Sequence, residues 1–411
     1  MCHTHWRSRP SFRSAKRLIL LCGLMAVTVT VHAQPRVPSD DNEVLEHLPM
    51  RPGDAQAREL TQLRAAIASA PTDPIPAAAM AQRYFDLAMA RGDPRYVGYA
   101  EAVIKPFSQT QSTALLLTRG LLRQYRHQFG GALDDFAAAL AIDPQFASAH
   151  AWRAAIYLVQ ANYPAAQREC DQLQRLKRST LYGGCVGLVQ AYSGSLDLAD
   201  VSLQHALKNA TDADNRLWLL TRLGEVSAWR GQSARAEKYY REAVNLGIDD
   251  GYLLAAWSDF LLDRKRPAEV VKLLAKWESS DGLLLRLALA EASLNLPAAP
   301  RHIQALDDRF AAARLRGDTT HRAEEARFQL HLRGNASAAL KLASANYQVQ
   351  REPRDARILL EAALAAHAAA PAQPVRDWLK TSGFEDPTLR QLGLALFPAQ
   401  RANGVTEKVQ P

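Results

Sequence analysis

The feature that most constrains this chain is a spacing of small and aromatic residues that occurs twice. Counted from Thr113 as position 1, small residues stand at positions 8, 20 and 27 and an aromatic residue at position 24. The same spacing returns when Leu217 is position 1. The residues are Gly120, Ala132, Phe136 and Ala139 in the first stretch, and Gly224, Ala236, Tyr240 and Ala243 in the second. Small residues let two helices approach closely while an aromatic ring fills the gap beside them, so the spacing predicts packed helical hairpins.

This spacing resembles the tetratricopeptide repeat (TPR), a helical hairpin with a period of 34 residues. The first stretch also has Pro144 at position 32, and the second has Gly231 at position 15, where the chain leaves the first helix. Weaker copies begin at Ala147, near Thr180, at Gly251 and at Thr320. Because one repeat cannot bury its own apolar face, neighbouring repeats are expected. The resemblance therefore implies an all-α, TPR-like α-solenoid, a right-handed superhelix of antiparallel helical hairpins.

The first 33 residues have the pattern of a secretory signal peptide. Five basic residues and no acidic residue precede an apolar run from Leu18 to Val31, and Ala33 supplies a small residue before Gln34. We expect cleavage after Ala33 and a periplasmic location, with full secretion as the alternative. An uncleaved anchor and an ordinary buried helix are the other interpretations of this segment. The anchor is disfavoured because a membrane helix needs about 20 apolar residues. We therefore expect no transmembrane segment in the mature chain.

The net charge does not indicate a nucleic-acid partner. The whole chain has a formal net charge of +8, but the predicted signal peptide holds 5 of the 50 basic residues and none of the 42 acidic residues. The mature chain would keep 45 basic and 42 acidic residues, a net charge of +3. No lysine-rich or arginine-rich block of the kind that follows a phosphate backbone occurs after Arg17.

The rest of the chain divides into five predicted segments. They are a disordered leader at 34–53, degenerate N-terminal helical hairpins at 54–112, the TPR array at 113–284, divergent TPR-like hairpins with a C-terminal cap at 285–382, and a C-terminal tail at 383–411. The leader is rich in proline, aspartate and asparagine. Helices outside the array are expected at Ala55–Ala70, Ile75–Arg91, Tyr96–Ile104, Arg301–Arg316, Pro353–Ala369 and Pro374–Thr381.

Two cysteines remain after the predicted cleavage. Cys170 takes position 24 of one unit and Cys185 takes position 6 of the next. Because those two helices pack together in TPR arrays, the resemblance implies a disulfide between them. A loop of about 15 residues closed in this way adds roughly 3 kcal/mol of stability. Two buried thiols are the alternative, and a redox-active pair is disfavoured because the spacing is not CxxC.

Common enzyme motifs were sought, and none is found. The sequence has no GxSxG elbow, no GxxxxGK[ST] phosphate loop and no HExxH helix. His321 with Glu324 and Glu325 comes nearest to a metal cluster, and we interpret it as a solvated helix end. The chain is therefore predicted not to be an enzyme and to need no cofactor and no metal.

The resemblance also implies a binding surface. In TPR arrays, positions 2, 5, 9, 12 and 13 of the first helix of each hairpin tend to face the concave surface. The candidate partner-binding residues at these positions are Gln124, Tyr125, Tyr192, Trp218, Glu225, Trp229 and Tyr252. Tyr125 and Trp229 stand out because both occupy position 13 in the two clearest units. The alternative is that these aromatic residues pack between hairpins.

One TPR subclass holds a ligand's C-terminal carboxylate with lysine at position 5 and asparagine at position 9. The two clearest units have Leu117 and Thr221 at position 5, and Leu121 and Glu225 at position 9. The chain therefore lacks the carboxylate clamp.

These observations predict an exported TPR scaffold or adaptor that binds a protein or peptide partner on its concave face, in envelope assembly or secretion. One alternative is a structural component of an envelope or polysaccharide-export complex. The other is an enzyme with an unrecognised site.

Overall fold

The computed structural model describes residue 40 and residues 54–397. The predicted signal peptide, nearly all of the leader and residues 398–411 lie outside the described residues. The described part contains twenty α-helices and no strand. Consecutive helices form antiparallel hairpins, and the hairpins stack in chain order. The predicted all-α solenoid is confirmed.

A single helix, α1 (Ala55–Ser69), precedes the hairpins of the first half. The hairpins are α2 (Pro74–Arg91) with α3 (Arg95–Ile104), α4 (Thr113–Tyr125) with α5 (Phe129–Ile142), α6 (Ala147–Val159) with α7 (Tyr163–Arg175), α8 (Ser179–Tyr192) with α9 (Leu196–Asn209), and α10 (Ala213–Trp229) with α11 (Ser233–Val244). The first three helices lie within one residue of the predicted bounds.

The second half repeats the same arrangement. Its helices are α12 (Gly251–Asp263) with α13 (Pro267–Leu274), α14 (Asp281–Ser293) with α15 (Ala299–Leu315), α16 (Arg322–His331) with α17 (Ala336–Tyr347), α18 (Pro353–Ala365) with α19 (Gln373–Ser382), and finally α20 (Pro387–Leu396). The sequence had not identified α14, whose run of leucine and alanine lacks the signature spacing. The structure pairs α14 with the predicted long helix α15.

The small residues of the signature lie where two helices approach most closely. A Cβ atom added to Gly120 would lie 2.4 Å from the ring of Phe136, and one added to Gly224 would lie 2.7 Å from the ring of Tyr240. Both rings are buried. The aromatic residue at position 24 thus fills the space that the glycine at position 8 leaves open, as the sequence predicts.

Every hairpin from α4 onward turns through a residue with positive φ at the same place. This residue is position 15 of each unit, counted from Asp281 and Pro353 in the two hairpins that the sequence pattern left without a register, and its φ lies between 51° and 75°. The residues are His127, Ala161, Gly194, Gly231, Lys265, Asn295, Gly334 and His367. A left-handed conformation costs a non-glycine residue roughly 1–2 kcal/mol, so packing of the hairpins holds this turn even where glycine is absent.

The first helices of the hairpins form the inner layer of the array, and we use this name for α2, α4, α6, α8, α10, α12, α14, α16 and α18. Each contacts the next one along the layer, whereas the second helices pack mainly against first helices. The array also turns back on itself, because α2 contacts α12. In addition, the Arg351 amide ahead of α18 donates to the Val159 carbonyl at the end of α6 over 2.7 Å.

The predicted tail at 383–411 is wrong over its first fifteen residues. Residues 383–397 form a short connection, in which Phe384 is buried, and helix α20, which packs against α18. Asp386 accepts a hydrogen bond from the Leu389 amide as the N-cap of this helix, and Pro387 follows it. These are ordinary helix-start signals, and they are visible in the sequence. The segment 383–397 is part of the packed array.

The predicted disulfide is present. Cys170 on α7 and Cys185 on α8 are bonded, with their Cα atoms 5.6 Å apart. Both side chains are buried in the core between these two helices.

Candidate functional site

Two different side-chain clusters form around residues of the inner layer. The aromatic cluster consists of Tyr163, Tyr192, Trp229, Trp378 and Phe384. The polar cluster consists of Arg222, Glu225, Tyr252, Glu352 and Arg354. Together they contain four of the seven predicted partner-binding residues, two in each cluster. The C-terminal part of the chain contributes to both.

In the aromatic cluster, the ring of Phe384 packs against two predicted partner-binding residues. Ring centroids lie 5.2 Å apart between Trp229 and Phe384 and 6.3 Å apart between Tyr192 and Phe384. Tyr192 and Trp229 contact each other at 5.9 Å. Tyr192 is only 4% exposed and Phe384 only 3%. These two predicted residues therefore face the chain's own C-terminal segment.

Backbone and polar contacts hold that segment in place. A Cβ atom at Gly194 would lie 2.4 Å from the carbonyl oxygen of Gly383, so the two chain segments touch at this point. The indole Nε1 of Trp378 donates to the hydroxyl of Tyr163 over 2.7 Å. The Tyr163 pKa rises to about 12, because burial disfavours the phenolate. Tyr163 thus stays protonated, and its oxygen can accept the indole hydrogen.

The polar cluster is built around Tyr252. The Tyr252 hydroxyl donates to a Glu225 carboxylate oxygen over 2.7 Å, and Arg222 donates both to that hydroxyl and to the other Glu225 oxygen. The Arg222 guanidinium also lies 4.2 Å from the centroid of the Tyr252 ring. Burial raises the pKa of Tyr252, although nearby Arg222 opposes this rise. The phenol therefore remains a hydrogen-bond donor, and each of the three side chains fixes the other two.

Arg354, at the start of α18, brings the C-terminal half of the chain to this cluster. Its guanidinium lies 5.6 Å from the centroid of the Tyr252 ring, and its Nη2 donates to Glu352 over 2.7 Å. The charge of Glu352 raises the pKa of Arg354 and keeps it cationic. The Arg354 side chain is still 50% exposed. A partner can therefore reach a cation that its neighbours already hold in position.

Two further sets of charges lie on the inner layer. Asp259 on α12 accepts hydrogen bonds of 2.6 Å from Arg286 on α14 and from Arg327 on α16. Burial would raise the pKa of Asp259, but these two arginines outweigh it and hold the pKa far below its usual range. Glu324 on α16 likewise keeps a lowered pKa despite burial, because His321 and Arg354 are close by.

The predicted solvated helix end at His321, Glu324 and Glu325 is therefore only partly correct. Glu325 is buried and pairs with Arg314, and Glu324 faces Arg354 from the inner layer. Over the described residues, no group of three or more His, Cys, Asp and Glu side chains is placed to hold a metal ion.

The remaining predicted partner-binding residues lie apart from both clusters. Trp218 packs between α8 and α10, since a Cβ atom at Gly184 would lie 2.1 Å from its ring. Gln124 and Tyr125 are partly buried at the end of α4, and Tyr125 packs against the N-terminal core. Burial raises the pKa of Tyr125 to about 12. The seven residues do not form one continuous surface.

Sequence reasoning missed the arginines of the polar cluster. Arg222 takes position 6 of its unit, which is not among the positions expected to face a ligand. Arg354 reaches Tyr252 only because the array turns back on itself, and a repeat pattern contains no sign of that long-range contact. The repeat positions that face the concave surface were the available signal, and they did identify Glu225 and Tyr252.

The chain is similar in fold to several solved structures. No protein-family model matches the chain, and no curated protein matches it. The chain is similar to a solved tetratricopeptide repeat protein from Parabacteroides merdae ATCC 43184, at 15% identity and a TM-score of 0.42, over 57% of this chain and 92% of that one. It is also similar to the structure of Naa15/Naa10 bound to HypK-THB, at 12% identity and a TM-score of 0.23, over 86% of this chain and 67% of that one. Among residues 54–397, no helix combines the length and the apolar character that crossing a membrane requires.

Proposed function

We propose that this TPR-like chain is an exported scaffold that binds a protein or peptide partner through its inner layer. The contact lies at the polar cluster, and the observation that carries this proposal is the exposed, pre-positioned guanidinium of Arg354 beside Tyr252. Arginine and tyrosine are enriched among the residues that dominate binding energy at protein interfaces.

The physical support for this proposal is pre-organisation. Binding costs roughly 0.5–1.5 kcal/mol for each flexible side chain that becomes immobilised. Glu352 and the ring of Tyr252 already restrict Arg354, and Arg222 and Glu225 already fix Tyr252. A partner that offers a carboxylate or a backbone carbonyl to Arg354 therefore meets side chains that have little freedom left to lose.

The proposal differs from the sequence-based prediction in its location. The prediction placed the best anchors at Tyr125 and Trp229, whereas Trp229 packs against Phe384 and Tyr125 packs against the N-terminal core. The inner surface proposed for the partner is the region around α10, α12 and the start of α18. Phe384 occupies the region around α8 in place of a partner.

Export is part of the same proposal, supported by the basic and apolar pattern of residues 1–33. Its test is the mass of the protein purified from a periplasmic extract of cells that make the full chain. We expect an N-terminus at Gln34. A protein that keeps residues 1–33 and stays in the cytoplasm would remove export, and with it the proposed role in envelope assembly or secretion.

The binding test compares three forms of the mature protein in capture from periplasmic extract. They are the parent, Arg354→Ala, and Arg301→Ala as a matched control, because Arg301 is also an exposed arginine paired with a glutamate. We expect one partner to be retained by the parent and by the control and to be lost by Arg354→Ala. Equal capture by all three would show that the polar cluster is not the binding surface.

A further inference from the structure

A cleft in the N-terminal part of the array combines an apolar floor with a charged rim. It lies between α3 and α4, next to the short turn Lys105–Phe107 that joins them, and has a volume of about 370 Å³. Its floor is apolar and is formed by Ile104, Phe107, Leu115 and Leu122. None of the predicted partner-binding residues lines it.

Charged contacts frame the cleft at both ends. At one end, Arg126 on α4 crosses to Glu101 on α3 with a hydrogen bond of 2.7 Å from Nη2. At the other end, Nη1 of Arg119 donates to the carbonyl oxygen of Ser108 over 3.0 Å. These contacts link α3 and the turn that follows it to α4. The opening is thus a built feature of the hairpin packing.

The rim has an excess of positive charge. Arg119 and Arg123 both pair with the single buried carboxylate of Asp135, at 2.7 Å each. This trio therefore keeps one net positive charge. Arg126 and Glu101 balance each other, and the exposed Lys105 adds a second net positive charge. An apolar floor under a rim of net charge +2 selects a ligand that is both apolar and acidic.

We propose that this cleft binds an acidic peptide segment that inserts one apolar anchor residue, such as leucine or phenylalanine, flanked by aspartate or glutamate. The anchor side chain would lie on Ile104, Phe107 and Leu122, and the flanking carboxylates would lie against Lys105 and the arginines of the rim. The cleft adds a second, independent surface to the polar cluster proposed above.

The shape of the cleft favours a peptide over a free small molecule. Pockets for small ligands bury about 70–90% of the ligand surface. Here Lys105, Ser108, Arg126 and Gln128 on the rim are exposed, so the cleft is open along that side. It can cover one large side chain and leave the chain on either side of it in solvent. An anchor residue of a longer polypeptide fits this description.

The test is fluorescence anisotropy with a fluorescein-labelled peptide, Gly-Glu-Asp-Leu-Phe-Asp-Glu-Gly, and the protein lacking residues 1–33. The cleft variant is Lys105→Glu, which lowers the rim charge by two and leaves both the Arg126–Glu101 contact and the buried Asp135 trio intact. The control variant is Lys276→Glu, which makes the same change at another exposed lysine. Circular dichroism checks that all forms are folded.

We expect the peptide to bind the parent and the control variant equally, and the cleft variant roughly tenfold more weakly. A peptide with Ser-Ser in place of Leu-Phe should also lose about tenfold in affinity. Equal affinity for both variants, equal affinity for both peptides, or no binding of the first peptide would overturn the proposal. So would binding of labelled dodecanoate in place of the peptide, which would assign the cleft to a small amphipathic acid.

The result of the peptide-binding test does not depend on whether the proposed function is correct. Arg354 lies on α18, whereas the cleft lies between α3 and α4, so Arg354→Ala should leave the affinity for the labelled peptide unchanged. Loss of peptide binding in Arg354→Ala would mean that the peptide occupies the polar cluster, and the cleft proposal would then be wrong.

Discussion

The aromatic cluster and the polar cluster both contain aromatic side chains at inward-facing repeat positions, but the surroundings of these side chains differ. Tyr192 and Trp229 stand at position 13 of their units, and Tyr252 stands at position 2, all of which face inward in the TPR pattern. Yet Phe384 packs against the first two and Tyr192 is buried, whereas Tyr252 lies beside the half-exposed Arg354. Position within a repeat therefore determines which way a side chain points. It does not determine whether that side chain meets solvent.

What separates the clusters is the path of the C-terminal segment. Residues 383–387 cross the ends of α8 and α10, where Gly194 leaves room for the backbone of Gly383. The start of α18 instead meets α12 with charged groups, which keep their hydration more readily than a phenyl ring does. The region at the C-terminal ends of α8 and α10 is thus completed as a core, and the region around Tyr252 remains a polar surface.

The largest expected effect is on the aromatic cluster. Phe384→Ala removes a buried ring from between Tyr192 and Trp229, and such a change costs about 3–5 kcal/mol. We expect a lower midpoint of urea unfolding and a red-shifted tryptophan emission of the folded protein, because more water reaches the indoles of Trp229 and Trp378. Phe397→Ala, which removes a partly buried ring from the end of α20, is the control and should cost less. Equal losses for the two variants would contradict the special role given to Phe384.

The second effect concerns the helices that carry this cluster. The Cys170–Cys185 bond joins α7 and α8, on which Tyr163 and Tyr192 lie. Replacing both cysteines by serine should destabilise the protein by roughly 3 kcal/mol, as expected for a closed loop of about 15 residues. Reductant should lower the thermal midpoint of the parent and leave that of the double variant unchanged. An unchanged midpoint in the parent would show that packing alone holds the two helices together.

The third effect is a pH dependence of stability at Glu361. It tests whether charge positions α18, in contrast to the apolar packing that positions Phe384. Burial would raise the pKa of Glu361 on α18, but hydrogen bonds from His331 and Arg357 outweigh it and lower the pKa to about 2. A carboxylate whose pKa is lower in the folded state stabilises the fold fully at pH values above its unfolded pKa. For Glu361 the unfolded pKa is about 4.5, so this stabilisation is lost as the pH falls from about 4.5 toward 2.

Glu361→Gln should therefore destabilise the protein clearly at pH 6 and much less at pH 3, measured as the free energy of unfolding in urea. Phe384→Ala should show similar losses at both pH values, because a phenyl ring does not titrate. A Glu361→Gln effect of the same size at both pH values would mean that shape, not charge, positions this part of α18.

The sequence predicts the hairpins well where local packing decides them. Gly120 with Phe136 and Gly224 with Tyr240 form the contacts that their spacing implies. It does less well where the signature fades. The turn of α14 and α15 passes through Asn295 with positive φ, as the turns at glycine do, but asparagine there gives no clear signal. The coverage of Trp229 by Phe384 spans 155 positions of sequence, and a pattern with a period of 34 residues contains no information about it.

The smallest expected effect on stability is at the polar cluster, and it tests whether that cluster is a surface. The Arg354 side chain is half exposed and pairs with Glu352, so its ion pair should contribute only about 0–1 kcal/mol. We expect Arg354→Ala to unfold at nearly the same urea concentration as the parent while it loses the partner in the capture experiment. A large loss of stability would instead show that Arg354 fastens α18 to α12. In that case the polar cluster would be a second internal contact, equivalent to the aromatic one, and the partner would have to bind elsewhere.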